Sequence, residues 1–212
     1  SFNSKTSFLL SSLSGRAPVK RFLKLSPFRR EARLLSQSEN FEEDAAKLMV
    51  VLSKLHAVPV PKDAGLPCFS VRDEVLRYEA SARMSLLDEA EHEELLEWAD
   101  QMDRDERVIC HRDLLPENVL IGPDGVELID FEYAAFTSPY WDLASFLTEC
   151  PCDDLLQGER LRHYGPVDLN RVERAKAVVS YIWALWGFHK NLMAYGRKRL
   201  ADFDYFRSRS GS

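Results

Sequence analysis

Long hydrophobic runs are missing from these 212 residues. The longest apolar stretch, Ala177 to Phe188, is interrupted by Ser180 and has about half the length a bilayer requires. No membrane partner is therefore expected. The chain starts at Ser1 without an initiator Met or a signal-peptide pattern. Cysteine is sparse, at four residues: Cys68, Cys110, Cys150 and Cys152. Two of them lie beside expected buried elements, and the C-x-C spacing of the other two fits no common zinc pattern. We expect reduced thiols in a cytoplasmic protein. Internal repeats, low-complexity blocks and nucleic-acid motifs are also missing. The chain is acidic, with a net charge of −6, so a nucleic-acid partner is not expected. Apolar content is that of an ordinary globular protein, and the length suits one domain or two small lobes.

What is present centres on His111 to Asp142, which reads HRDLLPENVLIGPDGVELIDFEYAAFTSPYWD. Val119-Leu120-Ile121 reads as a short strand, Gly122 to Gly125 as a tight turn, and Val126 to Ile129 as the returning strand, ending on Asp130. A hairpin brings Asn118 and Asp130, at the open ends of its strands, close together. Asp113 sits on the loop just before. Phosphoryl transfer needs such a set, because its chemistry is mostly positioning and charge neutralisation. One carboxylate takes the proton of an attacking hydroxyl, while an amide oxygen and a second carboxylate hold Mg²⁺ against nucleotide phosphates. The HRD-L-x-x-x-N string fits the protein-kinase catalytic loop, but Asp130-Phe131-Glu132 replaces DFG and no APE segment follows.

At these residues the chain resembles the choline/ethanolamine kinase family, whose kinase-like fold is shared with aminoglycoside phosphotransferases. That family carries D-[FW]-E-Y, then an aromatic-Asp pair and a Glu, matched by Asp130 to Tyr133, Trp141-Asp142 and Glu149. Its tryptophan-rich C-terminal helix is matched by Tyr181 to Gly187. The resemblance covers Phe41 to Arg207 well and Ser1 to Gln37 weakly. It implies a bilobal α/β protein-kinase-like fold, with residues 1–37 a partial nucleotide-covering β-rich lobe and residues 38–212 a mainly helical catalytic lobe. It also implies ATP as co-substrate and Mg²⁺ as cofactor. Asp113 would be the base, and Asn118, Asp130 and the adjacent Glu132 would serve the metal. Tyr133, Glu149, Trp183 and Trp186 would hold the substrate. A trimethylated ammonium offers no N–H to donate, so ring faces and a carboxylate must hold it, each ring contributing about 0.5–2 kcal/mol. Trp183 and Trp186 share a helix face. Seen alone such a pair reads as core, and the resemblance favours the cation site.

The first 36 residues carry eight Lys/Arg against one acidic residue, leaving −13 for the remainder. Such a run is ordinarily a solvated face, but in a kinase-like fold a basic segment over a polyphosphate has a second reason to exist. Strands are expected over Thr6–Ser12 and Ala17–Leu25. Lys20, Arg21 and Lys24 are candidate phosphate contacts, and Arg21 is the one that matches the family's strand arginine. The family's G-x-T-N-K glycine has no counterpart in Ser1 to Lys5. Pro27 opens an expected helix, Phe28–Ser36, whose Glu31 matches the family glutamate that pairs with the strand cation. Gln37 then runs straight into a cap box at Asn40, leaving no residues for an adenine hinge. Either half of the small lobe is lost, or residues around Gln37–Glu39 and before Ser1 belong to the molecule and not to this sequence. We expect the second, and an intact mass equal to 24.4 kDa would exclude it.

Downstream, helices are expected at Phe41–His56, Val71–Ala82 and Ser85–Met102, from Asp142, at Asp153–Tyr164 and at Asp168–Ala194. The last of these would be capped by Asn170 and Glu173. His56 reads as a packed histidine, His92 as a solvated one, and Arg207 to Ser212 as a flexible end. The expected reaction is transfer of the ATP γ-phosphoryl group to the hydroxyl of choline, with ethanolamine or thiamine as alternative acceptors. A non-catalytic quaternary-amine-binding protein is the rival reading, and an absence of ATP heat in calorimetry would favour it. Nothing in the sequence sets the oligomeric state.

Overall fold

A computed structural model describes residues 32–59, 65–82, 85–123 and 125–210. The two strands expected over Thr6–Ser12 and Ala17–Leu25 and the candidates Lys20, Arg21, Lys24 and Glu31 lie outside the described residues. In chain order the elements are β1 (Arg33–Leu34), α1 (Phe41–His56), α2 (Val71–Ala82), α3 (Glu89–Asp103), β2 (Val108–Cys110), β3 (Val119–Gly122), β4 (Gly125–Leu128), β5 (Ala135–Thr137), α4 (Pro139–Glu149), α5 (Asp154–Tyr164), α6 (Leu169–His189) and α7 (Met193–Arg209). Short 3₁₀ turns occupy Leu35–Gln37, Pro116–Asn118 and Phe131–Tyr133. The chain divides into two compact units. One holds the residues up to Cys68, with Val108–Phe136 and Glu149–Pro166. The other holds Phe69–Arg107, Thr137–Thr148 and Val167 onward.

In the first unit β3 and β4 form the expected hairpin, in the register Val119↔Leu128 to Gly122↔Gly125. Gly125, the first residue of β4, has φ +127°, a value that a side chain would resist. The outer edge of β3 is covered by β1, with Arg33 opposite Ile121 and Leu34 opposite Leu120. This corrects the helix expected to reach Ser36. The unpaired edge of β3 offers backbone partners, and Arg33 and Leu34 take them as a strand. Helix α1 buries Ala45, Leu48, Met49 and Leu52 and packs on α5, β2 and β4. The expected Asn40 side-chain cap is not made. Ser38 Oγ instead accepts from the Asn40 N–H at 3.1 Å and donates to Asp44 at 2.7 Å. Arg160 of α5 is buried, and its guanidinium donates to both carboxylate oxygens of Glu42 (2.7 and 2.9 Å) and to the Cys150 carbonyl (2.6 Å). These bonds tie α1, α5 and the end of α4 together. His56 is packed as expected, its Nδ1 2.8 Å from the Tyr164 hydroxyl.

The second unit is a helical core of Val75, Leu95, Trp98, Trp141, Val178, Ile182, Leu185 and Phe203, among others, contributed by α2, α3, α4, α6 and α7. Helix α3 starts later than expected, because Asp88 and Glu91 form a reciprocal capping box. His92 is half-buried, not solvated, and sits 3.0 Å from Glu79, which also accepts the Tyr181 hydroxyl at 2.6 Å. Helix α6 is capped by Asp168, not Asn170. Glu173 turns inward to pair with Lys176 at 3.0 Å. The single helix expected to Ala194 is broken at residues 190–192, where Asn191 takes φ +60° and the chain reverses into α7. Gly187 and Gly196 let the two helices close tightly. A Cβ on Gly187 would sit 3.0 Å from the Gly196 backbone, and one on Gly196 would sit 2.7 Å from the Phe188 ring. Residues 207–209, expected to be flexible, continue α7. Arg207 donates to Glu94 at 2.7 Å and to Glu91 at 2.8 Å.

Candidate active site

The loop from His111 to Asn118 is held by its own polar groups. His111 is fully buried, with Nε2 2.7 Å from the Ile129 carbonyl and Nδ1 accepting the Asp113 N–H at 3.3 Å. A carbonyl can only accept, so the ring hydrogen sits on Nε2. The imidazole packs against Phe131, with centroids 4.6 Å apart. One side chain thereby connects the Asp113 loop to the strand that delivers Asp130.

Asn118 closes the loop from the other end. Its Nδ2 donates to the Asp113 carbonyl at 2.8 Å and to the Asp113 carboxylate Oδ2 at 2.9 Å. The backbone adds Leu115 N to Asp113 O and Asn118 N to Leu115 O, both at 2.9 Å. With the amide hydrogens turned toward Asp113, the Oδ1 of Asn118 is left as an acceptor on the opposite side of the amide. Ile129 N donates to the Asn118 carbonyl at 3.0 Å, continuing the hairpin ladder by one step. Asp130 therefore follows directly on the residue paired with Asn118, which is the juxtaposition the hairpin reading required.

Two backbone joints aim these groups. Arg112 and Asp130 both have φ +67°, a left-handed conformation that costs a non-glycine residue about 1–2 kcal/mol. Asp tolerates it better than Arg, because its short side chain bonds locally. Such strain gathers where surrounding contacts over-determine a site. Here Arg112 Nη1 donates to the Tyr133 carbonyl at 3.3 Å. After Asp130 the 3₁₀ turn carries buried Phe131, then exposed Glu132 and exposed Tyr133. Glu149 ends α4 half-buried, ahead of Cys150, whose thiol burial pushes up to about 12. Asp113, Asn118, Asp130, Glu132, Tyr133 and Glu149 thus belong to the first unit.

Trp183 and Trp186 belong to the second unit, on α6, and both are half-buried. Their surroundings differ. Trp183 packs against the helical core, and its ring lies under the Arg199 guanidinium at 5.1 Å. Trp186 meets Tyr195 edge-on at 5.7 Å. Sequence reasoning places His111 only as the first residue of the HRD string and does not point to Tyr195 or Arg199. The last two lie four apart on α7, so one face presents both, a signal visible once α7 is separated from α6.

Residues 10–175 match the phosphotransferase enzyme family. The chain belongs to that family. Protein LicA of Haemophilus influenzae is 42 % identical over 40 residues, a stretch that is 19 % of this chain and 15 % of the relative. Among solved structures, LicA in complex with AMP superposes with a TM-score of 0.72 at 24 % identity, over 88 % of this chain and 69 % of that one. The choline kinase LicA from Streptococcus pneumoniae gives 0.68 at 24 % identity, over 95 % and 77 %. The kinase-like α/β fold expected from the sequence is therefore established, and the phosphotransferase reading holds at the level of the family. No helix among the described residues is long and apolar enough to cross a membrane.

Proposed function

We propose that this phosphotransferase family member moves the γ-phosphoryl group of ATP to the hydroxyl of choline, acting in the cytoplasm. The observation that carries the reading is the commitment of the Asn118 amide hydrogens to Asp113, which leaves Oδ1 as an oxygen donor on the residue paired with Ile129, next to Asp130. Amide and carboxylate oxygens suit a hard divalent cation. Asn118 and Asp130 would hold Mg²⁺, with Glu132 in support, and the ion would neutralise charge on the phosphates. Asp113 accepts the acceptor's hydroxyl proton as that oxygen bonds to the γ-phosphorus and the bond to the departing ADP oxygen breaks. The Asn118 amide, donating to Asp113, orients this carboxylate for the transfer. Tyr133 and Glu149 of the first unit, and Trp183 and Trp186 of the second, are the candidates for the ring faces and negative charge that a quaternary ammonium requires. Arg21 and Glu31 are the candidates on the nucleotide side. The match to choline kinase LicA supports choline as the acceptor class, and ethanolamine and thiamine are its competitors.

The test is a phosphotransfer assay across choline, ethanolamine and thiamine, with wild type and Asp113→Ala. Wild type is expected to phosphorylate choline fastest. Asp113→Ala loses about 10²–10⁴-fold in turnover while keeping its affinity for choline, as removal of a general base should. Full activity in the variant would sink the assignment of the base. A faster rate on ethanolamine or thiamine would transfer the acceptor assignment to that compound.

A further inference from the structure

Acidic residues outnumber basic ones in this chain, 34 to 28, yet the stretch from Arg174 to Ala201 holds six Lys/Arg and no Asp or Glu. Within it lies the reversal between α6 and α7, where His189 to Ala194 are six consecutive exposed residues. Leu192 and Met193 stand at the reversal, 48 % and 44 % exposed. The other exposed large apolar side chains among the described residues are scattered singly, which is ordinary, and Leu155 and Leu169 each adjoin an aspartate. Cations flank the Leu192–Met193 pair instead. Lys190 precedes it, and Arg197 and Lys198 follow one turn along α7, all exposed. Met193 and Arg197 share a helix face, as do Ala194 and Lys198. The acidic residues that bound the stretch are already engaged, Glu173 with Lys176 and Arg209, and Asp202 with Arg199.

We propose that this turn docks on an anionic bilayer surface. Leu192 and Met193 enter the boundary between headgroups and acyl chains, and Lys190, Arg197 and Lys198 meet the lipid phosphates. With α7 upright on the surface, four residues of helix rise about 6 Å, within the depth of about 5–10 Å to which interfacial segments are buried. A protein partner would need a hollow shaped to this turn, whereas a fluid interface needs none. The rest of the chain is net acidic, so an anionic surface repels it and the turn is the part that approaches first. That repulsion is screened beyond about 8 Å at physiological salt, while cations at the surface act inside this range. The expectation of no membrane partner rested on spanning length, which surface association does not require. Docking of this kind goes beyond phosphotransfer and does not depend on the acceptor.

Co-sedimentation of the full chain with vesicles tests the proposal. Vesicles of phosphatidylcholine with one third phosphatidylglycerol should bind the protein at about 0.1 M salt, where the Debye length is about 10 Å, and release it near 1 M, where it is about 3 Å. Vesicles of phosphatidylcholine alone should bind at least about tenfold more weakly. Each cation near an anionic surface contributes about fivefold, so Lys190→Gln, Arg197→Gln and Lys198→Gln lose that much singly and about 10²-fold together. Leu192→Ser with Met193→Ser should lose at least about tenfold while keeping the salt dependence. All five side chains are exposed, and unchanged helical circular dichroism verifies the fold of each variant. Equal binding to both vesicle types, or none to either, would overturn the proposal. Variants that bind like wild type would also overturn it, by moving the contact to the basic first 36 residues or to another face. A concentration-dependent mass in sedimentation equilibrium that Leu192→Ser abolishes would assign the turn to a second copy of this chain, and the membrane reading would fall.

Discussion

The same substitution made at two helical glycines is expected to change stability in opposite directions. Gly158 lies in α5, and a Cβ there meets nothing within 4 Å. Replacing it with alanine removes backbone freedom from the unfolded chain and stabilises by up to about 1 kcal/mol. Gly187 gains the same helical preference, but its Cβ would stand 2.9 Å from Tyr195 Cδ1 and 3.0 Å from both the Cα and N of Gly196. Backbone atoms cannot rotate aside, so α6 and α7 must separate. Over-packing of this kind costs about 2–3 kcal/mol. Set against the propensity gain, the net loss is about 1–2 kcal/mol. For a chain of this size each kcal/mol moves the melting temperature by about 2–4 °C. Gly187→Ala should therefore melt about 2–8 °C below wild type, and Gly158→Ala about 2–4 °C above it. Near-ultraviolet circular dichroism supplies the second readout. Gly187→Ala disturbs Tyr195, whose edge meets Trp186, and should alter the aromatic bands. Gly158→Ala should leave them alone. A Gly187→Ala protein that melts at or above wild type would show that the tight crossing of the two helices is not what the close contacts imply.

Three further outcomes follow from local features. Asn191→Ala should lose about 1 kcal/mol, since alanine lacks the local bonding that helps Asn at φ +60°, while Asn191→Gly should match or exceed wild type in urea midpoint. Burial pushes the Asp44 carboxyl up, but the Ser38 hydroxyl, Lys47 and Arg33 outweigh it and hold the group below its ordinary 3.8. With the folded value depressed, its contribution is present above about pH 4 and lost as pH falls below that. Urea midpoints compared at pH 7 and pH 3 should therefore converge between wild type and Asp44→Asn. Burial raises the Cys150 thiol to about 12, so iodoacetamide at pH 8 should label exposed Cys68 while Cys150 stays unmodified until denaturant is added, as read by peptide mass spectrometry.

The elements legible in the sequence were those governed by neighbours along the chain. Apolar residues at helical spacing gave α1 as Phe41–His56 and α2 as Val71–Ala82, and the turn between Gly122 and Gly125 gave the hairpin. The Asp113 loop was legible for the same reason, since its bonds run between residues no more than 21 positions apart. Elements governed by distant partners were not legible. Arg33 and Leu34 become a strand because an edge more than 80 positions away accepts them, and no local preference records that. The break after His189 was hidden because apolar residues continue through it, and Asn191 is a weaker stop signal than glycine or proline. A helix carried through to Ala194 also leaves Tyr195 and Arg199 beyond its end, separated from the tryptophans they fold back to meet.

The mirror-handed joints at Arg112 and Asp130 have an implication for anyone engineering this protein. Glycine is the residue that rests comfortably at both positions, so a search guided by heat tolerance would be drawn to it. Under the proposed reaction, winners of such a search would melt later and turn over more slowly, because the slack that spares the backbone also lets the acid and the amide beside it drift apart.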